Sequence, residues 1–374
     1  MKILVAGDFC PQHRVANLFE EGDFTSVLGE VKSITKQADY FIVNYECPVC
    51  CGNESPIQKQ GPNLKSTKSG IEAIKWAGFD CVTLANNHFR DYGDEGCHHT
   101  LNELNNLGVD YVGGGKDLKE ASNTRYKTVG DKVLAIINCC EHEFSIATSN
   151  TAGSNPLNPI QQYYAIQEAK KKADYVIVIV HGGTEWYNLP TPRMKETYRF
   201  FIDAGADAVI NHHQHCYSGY EIYHDKPIFY GLGNFCFDKG KQSRTFWHEG
   251  YMVILDIKED KIDFELTPYV QCAETSTIHI LDDRKVFDEN IKQLNKIIAD
   301  DEALHQSFHD MAIKRKGLIK TLLSPYSSRI MKGLQFRGLL PSFVTHKRMT
   351  SCLAHSQCEA HHDILIEYLK SELK

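Results

Sequence analysis

The stretch Val209-Ile210-Asn211-His212-His213-Gln214-His215, which follows Asp203-Ala204-Gly205-Ala206-Asp207, sets three imidazoles at the end of one apolar run. Burying such a cluster is costly unless something binds it, and a transition metal is the usual partner of gathered imidazoles. Other apolar runs end the same way. Asp8 follows the run at residues 2–6, Asn44 and Glu46 follow 40–43, Asn87 and His88 follow 81–84, and His181 follows 175–180. In an open α/β sheet the carboxyl ends of the strands form the ligand crevice, so polar residues from separate strands can meet at one point.

The sequence around these runs has a βαβ rhythm. The spacing predicts a helix over 69–76 stopped by Gly78, one ending at Gly108, and others near 163–172 and 194–204. The run at 175–180 is β-branched almost throughout and reads as a buried strand. Beyond Tyr220 the grammar changes to close-set strands at 221–223, 227–230, 251–257 and 261–266, which predicts antiparallel pairing. From about Asp282 the pattern is helical. A boundary near Thr275 divides the chain into a site-bearing domain, 1–274, and a helical C-terminal region, 275–374.

Composition sets the class. The 374 residues are 42% hydrophobic and 24% charged, as in ordinary soluble globular proteins. A net charge of −7 argues against nucleic-acid binding by the whole chain. No run approaches the ~18 apolar residues of a membrane span, and the first eight residues are too short for a signal peptide. The 13 cysteines are odd in number and scattered, with adjacent pairs at Cys50-Cys51 and Cys139-Cys140, which suits a reduced, cytoplasmic protein. Residues 311–348 carry Lys314, Arg315, Lys316, Lys320, Arg329, Lys332, Arg337, Lys347 and Arg348 without one acidic residue. A solvated helical surface, an anionic lipid face and a polyanionic polymer are the readings open to it.

Metal-assisted hydrolysis with two ions needs anionic oxygen to bridge them, imidazoles to complete each sphere, and a nearby acid for the leaving group. Asp8, Glu46, Asn87, His181, His213 and His215 supply those ligand types; His88, beside Asn87, is the candidate proton donor and Asp91 its orienting partner. Glu185, followed by Trp186, is a candidate substrate contact, as are Asn44, His212 and Asn234. Gly113-Gly114-Gly115 lacks the ending of a phosphate loop and reads as a turn, and Cys47-Pro48-Val49-Cys50 has no second pair to make a zinc site. Cys352, His355, Cys358, His361 and His362 have spacings that a helix could gather, with scattered structural residues the commoner case.

Several phrases, in order, resemble the poly-γ-glutamate capsule biosynthesis family CapA, of the calcineurin-like metallophosphoesterase superfamily. They are Ala6-Gly7-Asp8, Asn44-Tyr45-Glu46, Ala85-Asn86-Asn87-His88 with Asp91-Tyr92-Gly93, Val180-His181-Gly182-Gly183 with Glu185, residues 205–215, and Pro227-Ile228-Phe229-Tyr230-Gly231-Leu232-Gly233-Asn234-Phe235. The resemblance spans roughly residues 1–266. It implies an α/β fold, a four-layer α/β/β/α metallophosphoesterase-like sandwich with a helical C-terminal appendage. Asp8 resembles the first metal aspartate, Asn87-His88 the asparagine ligand and catalytic histidine, His181 the isolated histidine ligand, and His213 with His215 the closing pair. The chain departs from the superfamily pattern twice: Cys10 stands where a histidine follows the first aspartate, and Asn44-Tyr45-Glu46 replaces the bridging-aspartate motif. Cys10 as a thiolate ligand and a weakened first metal position are both open, as is a mononuclear or empty site.

The resemblance implies a divalent metal, one or two ions of Mn, Fe or Zn, and hydrolysis of a phosphoester or amide bond in capsule or poly-γ-glutamate synthesis. The other reading is a non-catalytic assembly or export factor. An acidic polymer or its precursor is the implied partner, with membrane contact through the basic C-terminal region as a further one.

Overall fold

The computed structural model describes residues 1–259, 261–315, 328–341 and 345–357, with residues 326, 361, 362, 364 and 369. Lys316, Lys320 and Cys358, named above, lie outside the described residues. The chain divides into two compact units, Met1–His305 and Gln306–Lys374.

Two sheets carry the first unit. The first holds Lys2–Phe9 (β1), Tyr40–Tyr45 (β2), Cys81–Thr83 (β3), Asp110–Val112 (β4), Asn234–Cys236 (β13), Glu249–Ile257 (β14), Ile262–Gln271 (β15) and Ile278–Ile280 (β16). Its order is β16-β15-β14-β1-β2-β3-β4, with β13 pairing on β1. β1 to β4 run parallel, while β14 and β15 return antiparallel, as the spacing of the sequence predicts, and β16, a strand the spacing does not predict, adds antiparallel to β15. The second sheet holds Arg125–Val129 (β6), Lys132–Cys140 (β7), Tyr175–His181 (β9), Ala208–His212 (β10), Tyr220–Tyr223 (β11) and Lys226–Phe229 (β12), ordered β11-β12-β10-β9-β7-β6. Gly114–Gly115 (β5) and Gly153–Ser154 (β8) pair separately.

Helices cover the outer face of each sheet. His13–Glu20 (α1), Thr25–Thr35 (α2), Lys68–Ala77 (α3) and Gly93–Leu107 (α4) belong to the first, with Leu118–Ala121 (α5) beside β5. Pro159–Lys170 (α6), Pro192–Asp203 (α7) and Lys285–Ala299 (α8) pack on the second. Starts and stops follow capping chemistry. Asn158 and Thr191 accept from first-turn N–H groups ahead of Pro159 and Pro192, and Gly78 and Gly108 end α3 and α4 in the left-handed region. Between the sheets, Phe264 of β15 meets Tyr220 and Phe229 of the second sheet, each at 5.0 Å between ring centroids. Residues 3–9 of β1 and all of β2 and β10 are buried, as strands covered on both faces must be. The result is an α/β/β/α sandwich.

The expected boundary at Thr275 is corrected. β16 adds to the first sheet and α8 packs on β11, because Phe287, Ile291, Leu294 and Ile298 form one apolar stripe that the second sheet buries. The first unit therefore runs on to His305. In the second unit the helices Arg329–Phe336 and His346–Gln357 are described, and Ile330, Met331, Met349 and Leu353 are exposed on them. The expected turn is confined to Gly113, since Gly114–Gly115 form β5; a Cβ on Gly113 would stand 1.9 Å from Asn138 Oδ1, which leaves no cradle for a phosphate.

One approach sets the floor of the site. A Cβ on Gly7 would sit 1.9 Å from the carbonyl oxygen of Gly233, and the next N–H, of Asp8, donates to that oxygen at 3.1 Å. Gly7→Ala is expected to lower unfolding stability by about 3 kcal/mol, at the upper end of overpacking costs. Denaturant unfolding checks this; a midpoint within error of wild type would show that the strands do not need this contact.

Candidate metal centre

Asp8 is the next-to-last residue of β1, where the register to both β2 and β13 shifts, an irregularity typical of strands that aim a side chain. Its Oδ1 accepts from Asn44 Nδ2 at 2.7 Å and its Oδ2 from the His213 N–H at 3.2 Å. It is thereby tied to both sheets. Glu46, just past β2, is wholly buried, and neither carboxylate oxygen has a hydrogen-bond partner among the described residues. Instead His181 Nε2 stands 3.5 Å and His215 Nε2 3.7 Å from its Oε1. A buried charged oxygen without donors is expensive, and a cation is the partner such a geometry suits.

The donor atoms form two overlapping groups. Glu46, His181 and His213 make one; Asp8, Glu46 and His215 make the other; in each the ligand atoms lie within 4.8 Å of one another. Asn87 Oδ1 lies 3.0 Å from His181 Nε2, as does His213 Nδ1. Oxygen and nitrogen lone pairs crowded like this call for a shared electrophile. His213 and His215 hold φ at +88° and +56°, left-handed values that cost on the order of 1–3 kcal/mol each. Asn234 Oδ1 meets His215 Nδ1 at 2.9 Å, which directs Nε2 toward Glu46. The residues thus fit a divalent ion at either group, with Glu46 common to both.

Electrostatics agree. Burial raises Asp8 to a pKa of about 7 against the hydrogen bond from Asn44, and raises Glu46 well above the carboxylate range, with the Asp8 charge adding to it. Burial and mutual repulsion hold His181 and His215 well below the usual imidazole value, burial alone takes His212 to about 3, and His213 is lowered too. The imidazoles are neutral and ready to ligate, while the carboxylates need a positive charge to ionise.

The family model for "Bacterial capsule synthesis protein PGA_cap" matches residues 2–239. The chain belongs to this family. A relative from Bacillus subtilis, "PGA biosynthesis protein CapA", is 33% identical over 266 residues, covering 70% of this chain and 69% of that one. "Capsule biosynthesis protein CapA" of Bacillus anthracis is 33% identical over 248 residues, 64% of this chain and 60% of the relative, so the match leaves a good part of that protein's length unmatched. Among solved structures, a Mycoplasma pneumoniae protein titled a novel phosphatase is 17% identical with a TM-score of 0.44, over 72% of this chain and 93% of its own.

Within this PGA_cap chain the expected site residues divide into three sets. Asp8, Glu46, Asn87, His181, His213 and His215 come together as described. His88 and Asp91 form a separate pair, Nδ1 to Oδ2 at 2.6 Å, both buried, and the His88 charge is felt by His181, His213 and His215. The expected substrate contacts Asn44, His212 and Asn234 touch the ligand residues: Asn44 bridges Asp8 and His181 (Nδ1 at 3.2 Å), Asn234 orients His215, and His212 Nδ1 lies 3.5 Å from Asp8, all three as deeply buried as the ligands. Glu185 is partly exposed, and its charge acts on Glu46 and His213. Cys10 is excluded from both groups. It packs in the apolar core, accepts from Gln12 Nε2 at 3.3 Å, and has its thiol pKa pushed up by burial.

Three further residues went unread in the sequence. Glu143 Oε1 stands 3.7 Å from His213 Nε2; its place just after β7 is the same strand-end signal that marks the other ligands. Lys59, from the connection between β2 and α3, pairs with Asp91 and lies 3.1 Å from His88 Nδ1, and Trp247 packs on the His215 ring at 4.8 Å. Nothing in their local sequence marks them. A separate cluster of Cys51, Glu54 and His99 serves as a loop staple: Glu54 accepts the N–H groups of Cys51 and Gly52 and contacts His99 at 2.6 Å.

A pH dependence follows. Asp8 holds its proton up to about pH 7 in the metal-free fold but only to about 3.8 unfolded, so metal-free stability from this group falls as pH rises through that window. Metal binding must displace the same proton and strengthens over the same range. The rise in Tm on adding Mn²⁺ or Zn²⁺ to chelated protein is therefore expected to be larger near pH 8 than near pH 5.5. A gain that is flat, or larger in acid, would show that Asp8 does not gate binding.

Proposed function

We propose that this protein is a metal-dependent hydrolase acting on a phosphoester or amide bond of an acidic polymer, or its precursor, in capsule or poly-γ-glutamate synthesis. The observation that carries the reading is the orphaned Glu46 carboxylate shared by two ligand groups, with a hydrogen-bonded histidine beside them. The family and the names of its Bacillus relatives supply the polymer. Mn, Fe or Zn suits the mixed oxygen and nitrogen donors better than Mg. Bound ions would supply Lewis acidity and an activated water. Asp8, Glu46 and His215 would hold one ion, and Glu46, His181, His213 and Asn87 the other.

The protein's own groups then do the rest. With Nδ1 engaged by Asp91, which Lys59 pairs with in turn, the His88 imidazole presents Nε2 to protonate the leaving group. His88→Asn is expected to keep metal content and lose about 10²–10⁴ in kcat, the usual worth of general acid catalysis. Elemental analysis should find metal in the wild type that drops in His213→Ala, with hydrolysis of phosphodiester and γ-glutamyl substrates lost in parallel. Absence of metal and turnover after reconstitution would leave the assembly or export role standing in its place.

The basic segment 311–348 gives that machinery a seat on an anionic membrane. Its described helix Arg329–Phe336 sets exposed Ile330 and Met331 beside Lys332, an apolar and basic mixture that suits lipid better than a purely polar chain. No described helix is long and apolar enough to cross a membrane. Co-sedimentation with phosphatidylglycerol vesicles is expected at low salt and release at high salt; no binding at low salt would sink this contact.

A further inference from the structure

Trp186 and Trp247 stack with centroids 4.8 Å apart and planes 24° apart, and Trp247 lies 4.8 Å from the ring of His215. The indole pair is built directly onto a ligand ring of the candidate centre. Over it stands Lys239, its Nζ 3.1 Å from the Trp247 centroid and 4.5 Å from that of Trp186. Among the described residues this ammonium has no carboxylate within 4.0 Å, and the Glu185 charge acts on it from farther off.

The two indoles are held differently. Trp247 is buried and donates its Nε1–H to the Phe237 carbonyl at 3.0 Å, while Trp186 is 52% exposed and sits at φ +63°. A large ring presented to solvent from a left-handed backbone, under an unpaired cation, adds little to folding. One ring removed from His215 of a centre that gathers metal ligands, it is the form of a ligand subsite.

We propose that Lys239 over the Trp186–Trp247 stack is the subsite for an oxyanion of the substrate, carboxylate or phosphoryl, one indole away from the metal ligands. Calling it a substrate subsite rests on the hydrolase reading; the anion binding itself does not. The ammonium supplies the charge, and the indole faces supply an apolar wall for the methylene groups that join such an anion to the reacting bond. Cation–π contact orients the ammonium without neutralising it, so its charge stays available to an incoming anion.

The three tryptophans of the chain make the test direct, because the third, Trp76, packs elsewhere against Phe24. Intrinsic fluorescence would be titrated with tri-γ-glutamate and with inorganic phosphate, each against sodium chloride at matched ionic strength, at fixed metal content. Wild type is expected to give a saturable change with at least one probe. Lys239→Gln should weaken that binding roughly tenfold and Lys239→Arg restore most of it. A response to the peptide alone assigns a carboxylate, and a response to phosphate alone assigns a phosphoryl group. Equal affinity in Lys239→Gln, or no saturable response to either probe in wild type, overturns the proposal. Because no turnover is needed, Lys239-dependent binding by an inactive protein would sink the hydrolase reading and leave the subsite intact.

Discussion

The arrangement depends on one unpaid desolvation: two carboxylates, Asp8 and Glu46, are sealed from water among neutral imidazoles, and only Asp8 has donors of its own. Everything around Glu46 is consistent with a positive charge in that space. The histidines are too deeply buried to supply it, since protonating them there costs more than it returns. Nor does a lysine or arginine pair with Glu46 among the described residues. The fold concentrates uncompensated electrostatics at a single point, and the two strained histidine backbones add to the same debt.

What makes this tolerable is rigidity elsewhere. β1 and β2 in one sheet, and β9 and β10 in the other, are buried along almost their whole length, and they end together. Register does the alignment: Asp8 lies opposite Asn44 and Asn234, and His181 opposite His212 and Cys140. Each ligand is carried by a strand end or by the first residues beyond it, so its position varies little. The glycines at 7 and 233 let the backbones close to contact distance under Asp8.

Much of this was legible in the sequence, for a physical reason. Buried parallel strands read as apolar runs, and a polar residue directly after such a run has few roles besides binding. That logic reached Asp8, Glu46, Asn87, His181, His213 and His215 together, and applied to Glu141-His142-Glu143 it would have reached Glu143 as well. What each strand-end residue touches was less legible: Asn44, His212 and Asn234 also stand at strand ends, and their contacts with Asp8, His181 and His215 are set by pairing across strands, which one-dimensional spacing does not carry. Lys59, Lys239 and Trp247 come from loops or irregular turns, where position is set by tertiary packing rather than period. The late boundary has the same origin: the apolar stripe of α8 looks equally at home in a separate helical region until the sheet that buries it is seen.

The ligands are divided between the sheets, with Asp8, Glu46 and Asn87 from one and His181, His213 and His215 from the other. An ion held there would be a rivet through the sandwich, added to the side-chain packing and the hydrogen bonds, such as His213 N–H to Asp8, by which the layers already meet. Such a cross-link opposes the sliding apart of the layers, so it acts on the rate of unfolding as well as on the equilibrium. With an ion there, the working lifetime of the protein would be coupled to the metal supply around it: a molecule starved of metal would lack that brace and would be the one that proteases reach first.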